Sequence, residues 1–107
     1  MTNKYNAKKQ IYKGKKFDSK KEFTRYLVLE SMEKNNYISD LELQPVFPLI
    51  VNGIKIGRYT ADFRYKNQSG EVIVEDVKSK ITKTRDYILR KKILSTYKPP
   101  IIIKEIL

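Results

Sequence analysis

The sequence predicts an α/β sandwich built on a mixed sheet, and three observations carry that reading. Ser19-Lys-Lys-Glu22 has the form of a helix-capping box and opens a run of apolar residues at helical spacing. Two turn signals, Asn52-Gly53 and Gln68-Ser-Gly70, separate segments rich in Val, Ile, Tyr and Phe. A second helical pattern, stopped by Pro99-Pro100, precedes a last apolar strand.

Taken in order, residues 1–16 lack periodicity and read as a basic arm or irregular lead-in, and residues 17–107 as one domain. The first helix starts near Ser19. It carries Phe23, Tyr26, Leu27 and Glu30 at helical spacing, with Val28, Leu29 and Met32 widening the apolar face, and ends near Asn35-Asn36. In Ile38–Val51, Leu41 and Leu43 alternate with polar neighbours while Pro45 and Pro48 interrupt pairing, which suggests a bent edge strand. Asn52-Gly53 joins Phe47–Val51 to Ile54–Arg58, whose arm is expected to continue through Tyr59–Lys66. Glu71–Lys78 forms the next strand, Thr84–Tyr97 a helix, and Ile101–Ile103 the final strand.

Composition narrows the chemistry. The 107 residues fit a single small domain, and with neither Cys nor His the chain has no disulfide framework, no Cys/His zinc site and no imidazole base. Any catalysis would run on carboxylates, lysines, arginines or tyrosines. No apolar run approaches the ~20 residues of a membrane span, so the expected location is the cytoplasm. The net charge of +11 predicts a polyanionic partner. Residues 1–25 carry nine basic and two acidic side chains, residues 78–98 eight and one, and residues 26–77 five and eight. Carboxylates between basic flanks repel phosphate unless a divalent cation intervenes. The alternative is ordinary solvated surface.

The turn at Gln68-Ser-Gly70 fixes the register of the central pair of strands. With three loop residues and Gly70 in the left-handed position, Asn67 pairs with Glu71 and Asp62 falls opposite Asp76. Opposed carboxylates lie ~5 Å apart at Cβ and need a positive charge between them. A two- or four-residue loop would oppose Asp62 to Glu75 instead. Asp76 and Lys78 share one face of their strand, while Ile73, Glu75 and Val77 point to the other, and both faces are apolar enough to make the strand central. Two carboxylates and an ammonium at one spot suit hard Mg²⁺ and phosphodiester hydrolysis; the structural alternative is a buried Asp–Lys salt bridge. Glu22, at helical spacing with Tyr26 and Leu29, can face the sheet or serve only the capping box. Tyr12, Tyr37, Tyr87 and Tyr97 are candidates for base stacking or for packing.

Asp62 followed by Asp76-Val-Lys78 resembles the core motif of the PD-(D/E)XK nuclease superfamily. The longer pattern is Phe17-Asp-Ser-Lys-Lys-Glu22, Ile38 to Leu49 with Gln44-Pro45, and the two motif strands; over residues 17–97 it is similar to small phage-encoded members catalogued as DUF1064. The resemblance implies a restriction-endonuclease-like core with a central mixed β-sheet flanked by helices, in α-β-β-β-α-β order. It also implies a Mg²⁺-dependent DNA endonuclease, with Mn²⁺ able to substitute, acting in phage recombination, replication or packaging, in the manner of a Holliday-junction resolvase; with one active site in so small a domain, cutting both strands implies a homodimer. Asp62, Asp76, the Val77 carbonyl and Glu22 would hold the metal, Lys78 would orient or activate the attacking water, and Gln44 would reach that water or a phosphate. Lys15, Lys16, Lys80, Lys83, Arg85, Arg90, Lys91 and Lys92 would hold the DNA backbone. The sequence departs from the pattern in having Asp rather than Glu at position 76 and Ala61 in place of the namesake Pro. A catalytically inactive DNA-binding accessory protein of the same fold is the alternative; a partner-binding regulator fits the basic flanks poorly.

Overall fold

Ser19 accepts a hydrogen bond from the Glu22 backbone N–H at 3.1 Å and so starts α1 (Lys20–Lys34), as the capping box predicts. The helix ends where Asn36 takes the left-handed conformation, φ 62°. This computed structural model describes residues 10–78 and 83–107. Glu22, Tyr26 and Leu29 form the buried stripe of α1, whereas Leu27 and Val28 stay exposed, so the apolar face is narrower than the sequence suggests.

Residues 10–17 differ from the expected irregular arm. They form a hairpin, β1 (Gln10–Tyr12) and β2 (Lys15–Phe17), closed by Lys13 and Gly14 at φ 51° and 75°. Strands of three residues are too short to show periodicity, and their aromatic side chains pack on α1: Phe17 packs on Phe23 and Tyr26, and Tyr12 on the same two rings.

The main sheet holds four strands in the order β3 (Ile38–Leu43), β6 (Phe63–Asn67), β7 (Val72–Val77), β8 (Ile103–Ile106). Its ladders are antiparallel except for the parallel β7–β8 pair, so the sheet is mixed, with β3 at its edge and β7 internal as expected. β4 (Val46–Val51) and β5 (Ile54–Thr60) form a separate two-stranded sheet. Asn52 and Gly53 both have positive φ, 50° and 77°, which is the type I′ turn their sequence asks for. α2 (Arg85–Ser95) is capped by Thr84. β8 begins two residues later than expected, because the Ile101 N–H bonds to the Leu94 carbonyl at 3.0 Å and Ile101 packs on α2 instead of joining the sheet.

The arm expected to run unbroken from Ile54 to Lys66 turns a corner. Leu43 faces Phe63 in the main sheet and Val46 faces Thr60 in the small one, with no change of register between them. Across the gap, the Gln44 N–H bonds the Asp62 carbonyl at 2.9 Å and the Ala61 N–H bonds the Pro45 carbonyl at 3.0 Å. One long hairpin therefore belongs to two sheets, bending at Gln44 (φ 52°) and buried Pro45 on one arm and at Ala61-Asp62 on the other.

β7 separates two cores. Ile73 and Val77 pack with Phe17, Tyr26, Leu29, Phe63 and Tyr65 under α1, while Val74 packs with Tyr59, Ala61, Tyr87, Leu94 and Ile103 under α2. On the α1 side Glu75 is fully buried and bidentate to Arg25, at 2.8 and 2.7 Å, and accepts a short hydrogen bond from the Tyr65 hydroxyl. Removing one member of such a pair strands the other charge. Arg25→Ala is expected to lower unfolding free energy by roughly 3–5 kcal/mol. Urea denaturation checks this, and a loss under about 1 kcal/mol would show that the pair is incidental.

Candidate functional site

Asp62, Asp76 and Lys78 meet where the corner of the long hairpin touches the end of β7. The register that makes this possible is the one set by the three-residue turn: Phe63 faces Glu75, Lys66 faces Val72, the Asn67 N–H bonds the Glu71 carbonyl, and Gly70 has φ 80°. The ladder stops one pair short of Asp62, which is already in the bend. Its backbone N–H instead reaches both the Glu75 carbonyl (3.1 Å) and Oδ1 of Asp76 (3.0 Å), and its own Oδ2 accepts the Val77 N–H at 2.7 Å. Each aspartate is thus tied to the other's strand by one oxygen. Val77 contributes its amide to this arrangement.

The second oxygen of Asp76 is different. Oδ2 is buried without a hydrogen-bond partner among the described residues, and the Lys78 ammonium stands 3.9 Å from it, beyond bonding distance. Lys78 lies instead over the face of Tyr87, 4.4 Å from the ring centroid. Tyr87 is fixed by its hydroxyl, which donates to Glu105 at 2.7 Å. The Tyr87 hydroxyl, with Lys83 and Lys91, holds the Glu105 carboxyl down to about 2.

Burial pushes the Asp76 carboxyl up to about 6 despite Lys78, and raises Asp62 as well, against the Val77 N–H and the Lys78 charge. Glu22, on the first turn of α1 and only 5% exposed, is pushed to about 7, by burial first and then by the charges of Asp62, Asp18 and Asp76. Three carboxyls are therefore held where ionisation is unfavourable. Among the described residues no group of three Asp, Glu, Cys or His side chains gathers as a ready-made metal cage, and Glu22 stands near the aspartates without completing one. The donor set still fits Mg²⁺, which keeps most of its waters and is commonly held by one or two carboxylates together with substrate phosphate. The unpartnered Oδ2 of Asp76 is the observation that favours the fit.

The other predicted site residues divide sharply. Gln44 has an exposed side chain and contributes its backbone N–H to Asp62. Lys83 and Lys91 are engaged by Glu105 at 3.0 and 3.4 Å, and Arg90 by Asp86 at 2.9 Å. Lys15 donates to the Tyr26 hydroxyl at 3.2 Å, while Lys16, Arg85 and Lys92 are exposed. Lys80 falls outside the described residues. Of the four tyrosines considered for stacking, Tyr87 serves Glu105 and Tyr12 packs on α1. The Tyr97 hydroxyl seals the edge of β4, accepting from the Ile50 N–H and donating to the Pro48 carbonyl; Tyr37 alone is well exposed. Two residues that carry weight here escaped the sequence reading. Arg58, on β5, stands near Lys78 only because the hairpin turns its corner, and Tyr59 beside it has a buried hydroxyl with no partner among the described residues.

The pH dependence follows in sign. Because Glu22 and Asp76 keep their protons to about 7 and about 6, the folded chain binds more protons than the unfolded one above their ordinary 4.5 and 3.8. Their contribution to stability is present at low pH and lost as pH rises through that window. Without divalent cation, Asp76→Asn is expected to stabilise the protein at pH 8 by on the order of 1–3 kcal/mol. Excess Mg²⁺ should raise the melting temperature of the wild type and leave that variant unmoved. Calorimetry in EDTA and in Mg²⁺ checks both; a destabilised Asn variant in EDTA would mean that Asp76 is a structural staple only.

One comparison with known proteins gives a match. A family model described as "Protein of unknown function (DUF1064)" matches residues 2–103, a longer stretch than the motif pattern spans. No curated protein and no solved structure matches the chain. With nearly its whole length covered, the chain belongs to the DUF1064 family.

Proposed function

We propose that this protein is a Mg²⁺-dependent DNA endonuclease with a restriction-endonuclease-like core, of the small phage-encoded kind, and that Asp62, Asp76 and Lys78 are its working residues. The observation that carries the reading is the contrast between neighbours on β7. Glu75 has both oxygens bound by Arg25 and Tyr65, whereas Asp76, equally buried, keeps one oxygen without a hydrogen-bond partner among the described residues, beside a second carboxylate and an ammonium. Uncompensated buried carboxylates are costly and cluster at functional sites.

Asp62 and Asp76 would hold the cation, with Glu22 raising the negative charge around it. When bound, Mg²⁺ supplies charge for the phosphate oxygens and makes water a usable nucleophile at neutral pH. Lys78, steered by the Tyr87 ring on one side and Asp76 on the other, positions its ammonium to hold and orient an attacking water. The net charge of +11 brings DNA to the site. One such site per chain cuts one strand, so cleavage of both strands, or of a four-way junction, takes a homodimer.

A specific feature favours a second reading, a DNA-binding accessory protein without chemistry: one oxygen of each aspartate is already engaged by backbone N–H groups. The two readings separate in a cleavage assay on labelled duplex, single-stranded and four-way-junction DNA with Mg²⁺, Mn²⁺ or EDTA. The nuclease cuts with metal only. Lys78→Met is expected to lower the cleavage rate by about 10²–10⁴-fold while DNA binding persists, and Asp76→Ala to abolish cutting. Intact DNA of every structure in both metals would sink the nuclease and leave the accessory role.

A further inference from the structure

Beside Lys78 the structure holds a cleft of about 350 Å³ walled by Arg58, Tyr59 and Thr60 from β5, Lys78 just beyond β7, Thr84 at the N-cap of α2 and Arg90 from the middle of that helix. Three of its lining side chains, Arg58, Lys78 and Arg90, are donor-only cations. Asp86 is the one acid in the wall among the described residues, and it is bound to Arg90 at 2.9 Å. Arg58 has no ion-pair partner among the described residues and is exposed. Tyr59 is 4% exposed, and its hydroxyl is buried without a partner among the described residues. An exposed guanidinium, an ammonium, threonine hydroxyls and the N-terminal end of an 11-residue helix form a set that matches an acceptor-only, negatively charged group. Arg above all matches phosphate, which it can grip with two parallel N–H bonds. The volume lies at the low end of small-ligand sites, so the cleft suits a single nucleotide unit better than a broad duplex surface.

We propose that this cleft is a phosphate subsite in which Arg58 is the principal contact, seating one nucleotide phosphate next to the bond presented to Asp62 and Asp76. Its place next to the cut rests on the nuclease reading; phosphate binding itself does not. Lys78 joins the two, since it lines the cleft and also stands beside Asp76. The phosphate comes either from the interior of a strand or from its phosphorylated end.

The test is fluorescence-anisotropy binding of short DNA by the full chain in EDTA, where no cutting can occur. The DNA is supplied with a 5′-phosphate, a 3′-phosphate or neither, over a range of salt concentrations. Arg58→Ala is expected to weaken binding about tenfold and to reduce the salt slope by about one, with an unchanged melting temperature. Lys55→Ala, an exposed lysine on the same strand outside the cleft, is the control and should change binding far less. A loss by Arg58→Ala confined to one phosphorylated end assigns the subsite to that terminal phosphate, and an equal loss on all three assigns it to an internal phosphodiester. Equal effects of Arg58→Ala and Lys55→Ala overturn the subsite, because the long-range charge of the protein then accounts for binding. Cleavage plays no part in the readout, so a protein that never cuts DNA can still pass, and an active nuclease can still fail.

Discussion

The molecule is organised around a corner in one hairpin. The paired arms that begin as β3 and β6 continue as β4 and β5 in another sheet without losing register, because Gln44 and Ala61 carry the hydrogen bonds across the bend. Two such bonds keep the backbone satisfied while Pro45, with no N–H to give, is buried at the turn. The bend has a chemical result. Asp62 leaves the ladder at the point where its side chain meets β7, and the carboxylates of Asp62 and Asp76 each tie down a backbone N–H of the opposing strand. Placed one residue to either side, neither would reach the other.

β7 then sorts charge by alternation. Glu75 points under α1 and is answered by Arg25 and Tyr65; Asp76 points under α2 and is answered only in part. The fold has the means to neutralise a buried acid completely and does so at one position but not at the next. Tyr87 gives its hydroxyl to Glu105 and offers Lys78 its ring face. The ammonium is thereby held near the aspartate without closing on it.

Basic residues follow a similar division. Glu105 and Asp86 draw in Lys83, Lys91 and Arg90, so part of the positive charge on and around α2 serves the fold as well as the surface field. Of these, the exposed Asp86–Arg90 pair adds little stability. Arg58 has no such local partner among the described residues, which makes it the more available charge beside Lys78.

By itself the sequence determined the parts whose causes are local. The capping box at Ser19, the type I′ turn at Asn52-Gly53 and the left-handed Gly70 each depend on a few adjacent residues, and Gly70 carried with it the register that brings Asp62 to Asp76. Period-two alternation likewise separated Asp76 from Glu75. Tertiary structure decided what rests on distant partners. The β1–β2 hairpin is held by the rings of α1, the corner by bonds between segments far apart in the chain, and the pairing of Glu75 by an arginine fifty positions earlier. Arg58 reaches Lys78 only once the corner is made. Hydrogen bonding and burial at these places are properties of the assembled sheets and helices, and local residue patterns do not encode which remote side chain will supply them.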